Sequence, residues 1–336
     1  VILVTTKQGH SGKAQISYDG YVGWQNVYKM PDLLNAKEYA MIMNEERYED
    51  GLEPYDFSKL VPDWDKIVSG KWNGTNWMDE IRNKNALETN HTINITGGSN
   101  YNTYSTGLSY TYQDGILGKP CEPNYRRYTA RINSDNSLIR YHNFSLLSIG
   151  ERLTYTFSQS RGIQMGDNFS NDIRNMLKAS PFLPDLDSNG NYHYSIPWEI
   201  REPNPIALMD YQSGQNKSKS HYIRASLYAT LQPIRNLKIK TNLGFALSVD
   251  SYRSFIPVYD LSSNQKNDQN IVSQSSGIDY KLQWENTANY VFSIRKSHHF
   301  DILVGQSIEA DGLGDEMEGS NTNSIFNDFK HAYLKN

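Results

Sequence analysis

Few of the residues able to do chemistry stand at the spacing that chemistry requires. Asp185-Leu-Asp187-Ser-Asn189-Gly190 has the first half of an EF-hand calcium loop, but position twelve is Ile196, where a bidentate Glu is needed. Asp185, Asp187 and Asn189 could therefore hold a metal only with ligands from elsewhere, and the same residues favour a tight turn, which Pro184 and Tyr192 also fit. The carboxylate pairs Glu45/Glu46 and Asp63/Asp65 invite a hydrolase reading. Glu45 and Glu46 are adjacent on a predicted helix and point apart, and neither pair has a partner group at a set distance. His298-His299 lacks the third and fourth ligands of a metal site. Cys121 is the single cysteine, so no intrachain disulfide exists, and no Cys-His motif accompanies it. No Ser-His-Asp order, P-loop or dinucleotide motif occurs, so neither an enzyme nor a cofactor is expected. Trp64, Trp72, Trp77 and Trp198 suit binding better: an indole stacks on a sugar ring or grips a peptide side chain, although it packs a loop core equally well.

Strands must position these residues. From Leu237 to Val249 the odd positions are Leu, Ile, Thr, Leu, Phe, Leu and Val, while Lys238, Lys240, Asn242, Ser248 and Asp250 take the other face. From Tyr280 to Ile294 one face carries Tyr280, Leu282, Trp284, Ala288, Tyr290, Phe292 and Ile294. The same period joins Ile223 to Leu231, Tyr104 to Tyr112 and Ile16 to Trp24, with weaker strands through 89–97, 125–135, 144–158 and 300–308. Several segments exceed the roughly 5–6 residues of ordinary strands and reach the roughly 9–11 of a tilted membrane strand.

Composition agrees with a mostly β chain. The 336 residues include 33 Asn, 24 Tyr and 23 Gly, rich in turn and strand formers. With 33 Lys+Arg against 37 Asp+Glu the net charge is −4, which excludes nucleic-acid binding driven by bulk positive charge. A mean hydropathy of −0.67 and the lack of a long apolar run exclude a helical membrane span. A membrane barrel stays open, because its strands alternate lipid-facing and lumen-facing side chains.

The connections alternate in length: 25–88, 114–124, 159–220 and 250–279 are long or medium, whereas 98–102, 136–143, 233–236 and 296–299 are short. An up-and-down barrel with long loops at one end and tight turns at the other generates this rhythm; a Greek-key sandwich has no reason to. Turn chemistry marks the short ends at Gly97–Asn100, Ser134–Ser137, Pro233–Asn236 and Lys296–His299. Two long connections carry helices: one begins at Asn35, with Glu38 completing a capping box and Gly51 ending it, and another covers 169–179. Trp24, Trp284 and the tyrosines near strand ends fit an interfacial girdle.

As a set, several stretches resemble the SusC/RagA-type TonB-dependent outer-membrane transporters of Bacteroidota. These are Val1–Gly9, similar to the last strand of that family's plug domain; Leu33–Tyr39, similar to its loop helix; Trp77–Ile81 leading to Asn90–Ser99; Tyr125–Tyr128; Asn204-Pro205; and Trp284–Asn286. The resemblance implies an all-β fold, part of an up-and-down antiparallel transmembrane β-barrel with long, partly helical extracellular loops. Residues 1–9 would end the plug and 10–336 would form the N-terminal portion of the barrel, about nine strands, so the chain is expected to be a fragment of a barrel of about 22 strands. Strand parity then puts 310–336 in an extracellular loop.

The resemblance further implies TonB-energised import of an oligosaccharide or oligopeptide through the outer membrane of a Gram-negative bacterium. A SusD-like surface lipoprotein would cap the loops, TonB would act through a region outside this chain, and the barrel would contact outer-membrane lipid. The tryptophans of loops 25–88 and 159–220 are the candidate substrate contacts. A soluble all-β carbohydrate-binding module using the same tryptophans is the alternative, and a barrel for siderophores or vitamins differs from the first reading only in ligand.

Overall fold

The computed structural model describes residues 9–167, 170–295 and 297–335. In chain order its elements are β1 (Gly12–Gln25), α1 (Ala36–Glu49), α2 (Phe57–Leu60), α3 (Trp64–Val68), α4 (Trp77–Glu80), β2 (Ala86–Gly98), β3 (Asn102–Asp114), β4 (Asn124–Tyr141), β5 (Phe144–Arg161), α5 (Asp172–Lys178), α6 (Pro205–Ser213), β6 (Asn216–Ile234), β7 (Leu237–Ile256), β8 (Tyr259–Asp260), β9 (Lys266–Asn267), β10 (Ile271–Ile294) and β11 (His298–Thr322). Nine strands form one antiparallel sheet in the order β1-β2-β3-β4-β5-β6-β7-β10-β11, and β8 pairs with β9 apart from it. The sheet is thus the up-and-down meander that the alternation requires.

Register joins the apolar faces of separate strands into one surface. A single row runs Ile16, Ile95, Thr106, Ile132, Leu153, Ala225, Phe245, Leu282 and Ala310. That face is uncovered: Ile16 is 74% exposed and Val304 66%. Its polar atoms pair among themselves, as where the Trp284 indole donates to Thr241 Oγ1 at 2.9 Å and Asn286 Nδ2 to Gln306 Oε1 at 3.0 Å. Toward the long-loop rim an aromatic row crosses the same face. Tyr110 and Tyr128 lie 5.0 Å apart by ring centroid, Tyr128 and Phe157 6.2 Å, and Phe157 and His221 4.8 Å. Near the tight turns Tyr290, Phe292 and Phe300 stack.

The opposite face is polar and hydrogen-bonded. Arg152 Nη2 meets Asp135 Oδ2 at 2.8 Å, Arg131 donates to Asn94 Oδ1 at 3.1 Å, and the Tyr228 hydroxyl donates to Asp135. The guanidinium of Arg152 and the ammonium of Lys240 both lie over the Tyr228 ring, at 5.0 and 4.3 Å. Gly150 makes room for that ring, since a Cβ there would sit 2.4 Å from Tyr228 Cζ.

Connections 99–101, 142–143, 235–236 and 295–297 are tight and share one rim; 26–85, 115–123, 162–215 and 257–270 leave the other. Several boundaries differ from the sequence reading. Ser134–Ser137 is strand rather than turn, with the reversal at His142-Asn143, where His142 takes a positive φ of 52°. The connection read as 250–279 shrinks to 257–270, and 310–322 belongs to β11 rather than a loop. The ladder of β10 and β11, 24 and 25 residues long, continues past the apolar face into residues such as Asp315, Glu316 and Glu318, which carry no hydrophobic period. The segment read as 169–179 is helical over Asp172–Lys178. Of the stretch read as the plug's last strand, 1–8 lie outside the described residues.

Replacing Gly150 by Val should drive the Tyr228 ring off Asp135 and cost about 1–3 kcal/mol through overpacking. Adding Tyr228→Ala should recover only the part of that loss due to the ring, because a Cβ at position 150 would still sit 2.8 Å from the Ser134 carbonyl, as read from the thermal midpoints of the two variants.

Candidate functional site

The long connections fold over one rim as a cap with its own core. Asn35 starts α1 with the expected capping box: its Oδ1 accepts from the Glu38 N–H at 3.0 Å, and its own N–H donates to Glu38 Oε2 at 2.9 Å. That places Ala36 and Ala40 inward against Phe57, Val61, Ile67, Met78 and Ile81, and against Met176, Phe182, Leu183, Ile196, Ile206 and Met209 from the second long connection. Two loops distant in sequence therefore share one core. Asn204, fully buried, caps α6 by accepting from the N–H groups of Ile206 and Ala207, and donates to the Asp185 carbonyl at 2.6 Å. Buried Asp172 accepts from the Gln164 N–H at 2.7 Å and the Ser213 hydroxyl at 2.8 Å, and burial raises its carboxyl pKa.

The four sequence-selected tryptophans all lie in this cap. Trp77, 1% exposed, donates its indole N–H to the Ser180 carbonyl at 2.8 Å and pins α4 to the second loop, so it presents no open ring face. Trp64 packs on Phe57 at 5.0 Å, and Trp198 packs on Tyr55 at 4.8 Å, Phe57 at 5.2 Å and Phe182 at 5.6 Å. Trp72 packs half-buried against the same core. Aromatic packing thus occupies much of the surface that a ligand would need.

The acidic stretch forms a turn. Asp187 Oδ1 accepts from the N–H groups of Asn189 and Asn191 at 2.8 and 2.9 Å, and Leu186 bridges to Tyr192. Those backbone donors hold the Asp187 carboxyl below its ordinary value, while burial pushes Asp185 up. Among the described residues no three His, Cys, Asp or Glu side chains are grouped to hold a metal. Burial pushes the Cys121 thiol up to about 12, leaving it protonated and unreactive.

The cap encloses a cavity of about 690 Å³. Arg174 and Lys178 of α5, Glu199, Arg201 and Glu202 of the following turn, and Asn264 and Gln265 of the 257–270 connection line it above Trp77. This mixture of both charges, amides and proline carbon suits a polar ligand with hydrogen-bonding groups of either sign. Burial first, then the nearby Glu202 carboxylate, push Glu199 up to about 7. These charged residues escaped the sequence reading; their one local sign is Glu199-Ile-Arg-Glu202 ahead of the Pro-Asn-Pro that starts α6. A second hollow of about 540 Å³ lies on the polar face of the sheet, between Ser158, Ser220, Asp250 and Asp279.

No family model matches the chain. Over 264 residues it is 28% identical to TonB-dependent receptor P3 of Formosa agariphila, covering 76% of this chain and 23% of that protein. Over 326 residues it is 24% identical to TonB-dependent receptor SusC of Bacteroides thetaiotaomicron, covering 91% of this chain and 29% of that protein. Its fold matches the RagAB peptide importer in the closed-closed state with a TM-score of 0.74 at 17% identity, covering 98% of this chain and 38% of that one. The chain therefore corresponds to about a quarter to a third of the curated relatives it matches.

A carboxyl with its folded pKa raised to about 7 is protonated in the cap at pH values where the unfolded chain, near 4.5, is already ionised. The stability it contributes is fully present below about pH 4.5 and is lost as pH rises through about 7. Glu199→Gln should therefore raise the thermal midpoint of cap tryptophan fluorescence above about pH 7 and leave it unchanged below about pH 4.5.

Proposed function

We propose that this chain, which carries the sequence and fold of SusC/RagA-type TonB-dependent receptors, forms wall and extracellular cap of an outer-membrane importer of bulky nutrients, oligosaccharides or oligopeptides. The observation that carries the reading is the register of the sheet, which unites nine alternating strands into one uncovered apolar face backed by one polar face. From Leu237 to Val249 that face extends about 40 Å along β7 at about 3.3 Å per residue, and at a tilt of about 45° it covers about 28 Å, the height of a bilayer's hydrocarbon core.

On this reading the polar face lines the lumen, the tight turns are periplasmic, and the cap stands outside the cell. Residues 1–9 end a plug domain and 10–336 begin the barrel. β1 and β11, each with one edge unpaired among the described residues, meet further strands of the parent protein. Substrate contacts fall to the charged cavity of the cap and to the half-buried edges of Trp64, Trp72 and Trp198, rather than to Trp77. Energy comes from TonB acting on the parent's plug, and a SusD-like lipoprotein closes over the cap. No covalent chemistry is needed. A soluble carbohydrate-binding module gives no reason for so continuous an uncovered apolar face.

The full-length parent protein should be recovered from Gram-negative outer-membrane fractions only with detergent, run as a heat-modifiable band and bring a lipoprotein with it. Leu243→Arg should cost about 2–4 kcal/mol of folding into bilayers, whereas Asn242→Arg, one residue along on the polar face, should cost little. A monodisperse protein without detergent, or equal effects of the two variants, would contradict the reading.

A further inference from the structure

Four cations gather on the apolar side of the sheet, just beyond its aromatic row. Two residues nearer the long-loop rim than Tyr128, Phe157 and His221, the next row on that face reads Arg126, Gln159, Lys219, Ser251 and Ser276. One step further, Lys217 stands opposite Arg253. These residues belong to β4, β6 and β7, yet the charges of Lys219, Arg126 and Arg253 all bear on Lys217. Among the described residues none of the four is ion-paired with a carboxylate. Asp114, on the same face, already accepts from the Tyr112 hydroxyl at 2.5 Å and the Leu87 N–H at 3.2 Å.

Three of the four cations line a hollow. Lys217, Lys219 and Arg253 line a cavity of about 430 Å³ with Ser251, Gln274 and Ser276. Glu318 reaches its edge from the other face, where it stands opposite Ser275. Arg253 is held in place: its guanidinium lies over the rings of Phe329 and Tyr333, at 4.1 and 3.9 Å, and donates to the Ala332 carbonyl at 3.1 Å. Three like charges with only the Glu318 carboxylate at the edge repel on balance, and that repulsion becomes attraction once an anion enters.

We propose that this cavity binds the phosphate groups of an outer-leaflet lipid headgroup, a phosphorylated glycolipid whose acyl chains run down the apolar face below it. The proposal rests on the membrane reading above. Position selects a lipid over a dissolved anion: Arg126 and Lys219 lie about 7 Å, and Lys217 and Arg253 about 13 Å, beyond the aromatic row at about 3.3 Å per residue, where headgroups sit above an interfacial belt. The chemistry selects phosphate, since two ammonium groups, a fixed guanidinium and two hydroxyls supply converging donors to an oxygen-rich anion.

The full-length protein in neutral detergent should be titrated with a bis-phosphorylated glucosamine-disaccharide lipid and with its dephosphorylated counterpart, and bound lipid counted by native mass spectrometry. Lys217→Gln with Lys219→Gln should weaken binding of the phosphorylated lipid by about 25-fold, at about fivefold per charge removed. Lys217→Arg with Lys219→Arg should retain it, and the dephosphorylated lipid should bind every variant weakly. Equal affinity of wild type and the Gln double variant, both heat-modifiable, would overturn the site alone. So would equal binding of the two lipids, or displacement of the lipid by inorganic phosphate at matched concentration. A wild type that needs no detergent would overturn the membrane reading and this site with it.

Discussion

Backbone hydrogen bonding governs this structure. A chain that presents a wide apolar face to a medium without water must pair every N–H and C=O internally, and among sheets only a closed, continuously paired one can do so. The nine-strand meander meets that demand between neighbours, with registers that run unbroken for most of each strand and shift only at places such as Tyr280/Leu282. Fixing the ladder fixes everything attached to it. Side chains must alternate, one face becomes uniformly apolar, and the reversals must sort into tight turns at one rim and long excursions at the other.

The cap follows from where those excursions begin. Connections 26–85 and 162–215 leave the same rim from strands separated by the width of several others, yet they fold into one core around Phe57, Phe182 and Trp198. Their apolar side chains bury against each other in one shared core rather than in two. The hydrogen bonds from Trp77 to Ser180 and from Thr75 to the Leu183 carbonyl at 2.6 Å tie the two loops at fixed points. A cavity lined by Arg174, Lys178, Glu199 and Arg201 is thus held above the sheet by packing rather than by the strands themselves.

Much of this was legible from the sequence wherever chemistry and periodicity coincide. β7 could be read residue by residue from Leu237 to Val249, and the Asn35/Glu38 cap of α1 from four letters. The upper half of β11 could not be read, because Asp311 to Thr322 carry no hydrophobic period beyond the apolar layer and are placed by the backbone ladder to β10. Ser134–Ser137 looks like a turn because Ser, Asp and Asn favour turns, yet there those side chains face partners across β5 and β6, as in the Asp135 contacts with Arg152 and Tyr228. Tryptophan chemistry is ambiguous by nature, and only packing separates the buried Trp77 from its half-buried neighbours. The cationic hollow was invisible, since Arg126, Lys217, Lys219 and Arg253 converge through strand register and not through spacing in sequence.

The most direct measurement of the central claim is the surroundings of each face of β7 in a bilayer. Single cysteines at positions 238–249, each carrying a bimane fluorophore, would be placed in vesicles containing a nitroxide-labelled lipid; the native Cys121, buried and protonated, stays unlabelled. The account predicts quenching that alternates strictly, strong at Ile239, Leu243, Phe245 and Leu247 and weak at Lys240, Asn242 and Ser248. Quenching without alternation, or absent from every position, would contradict it.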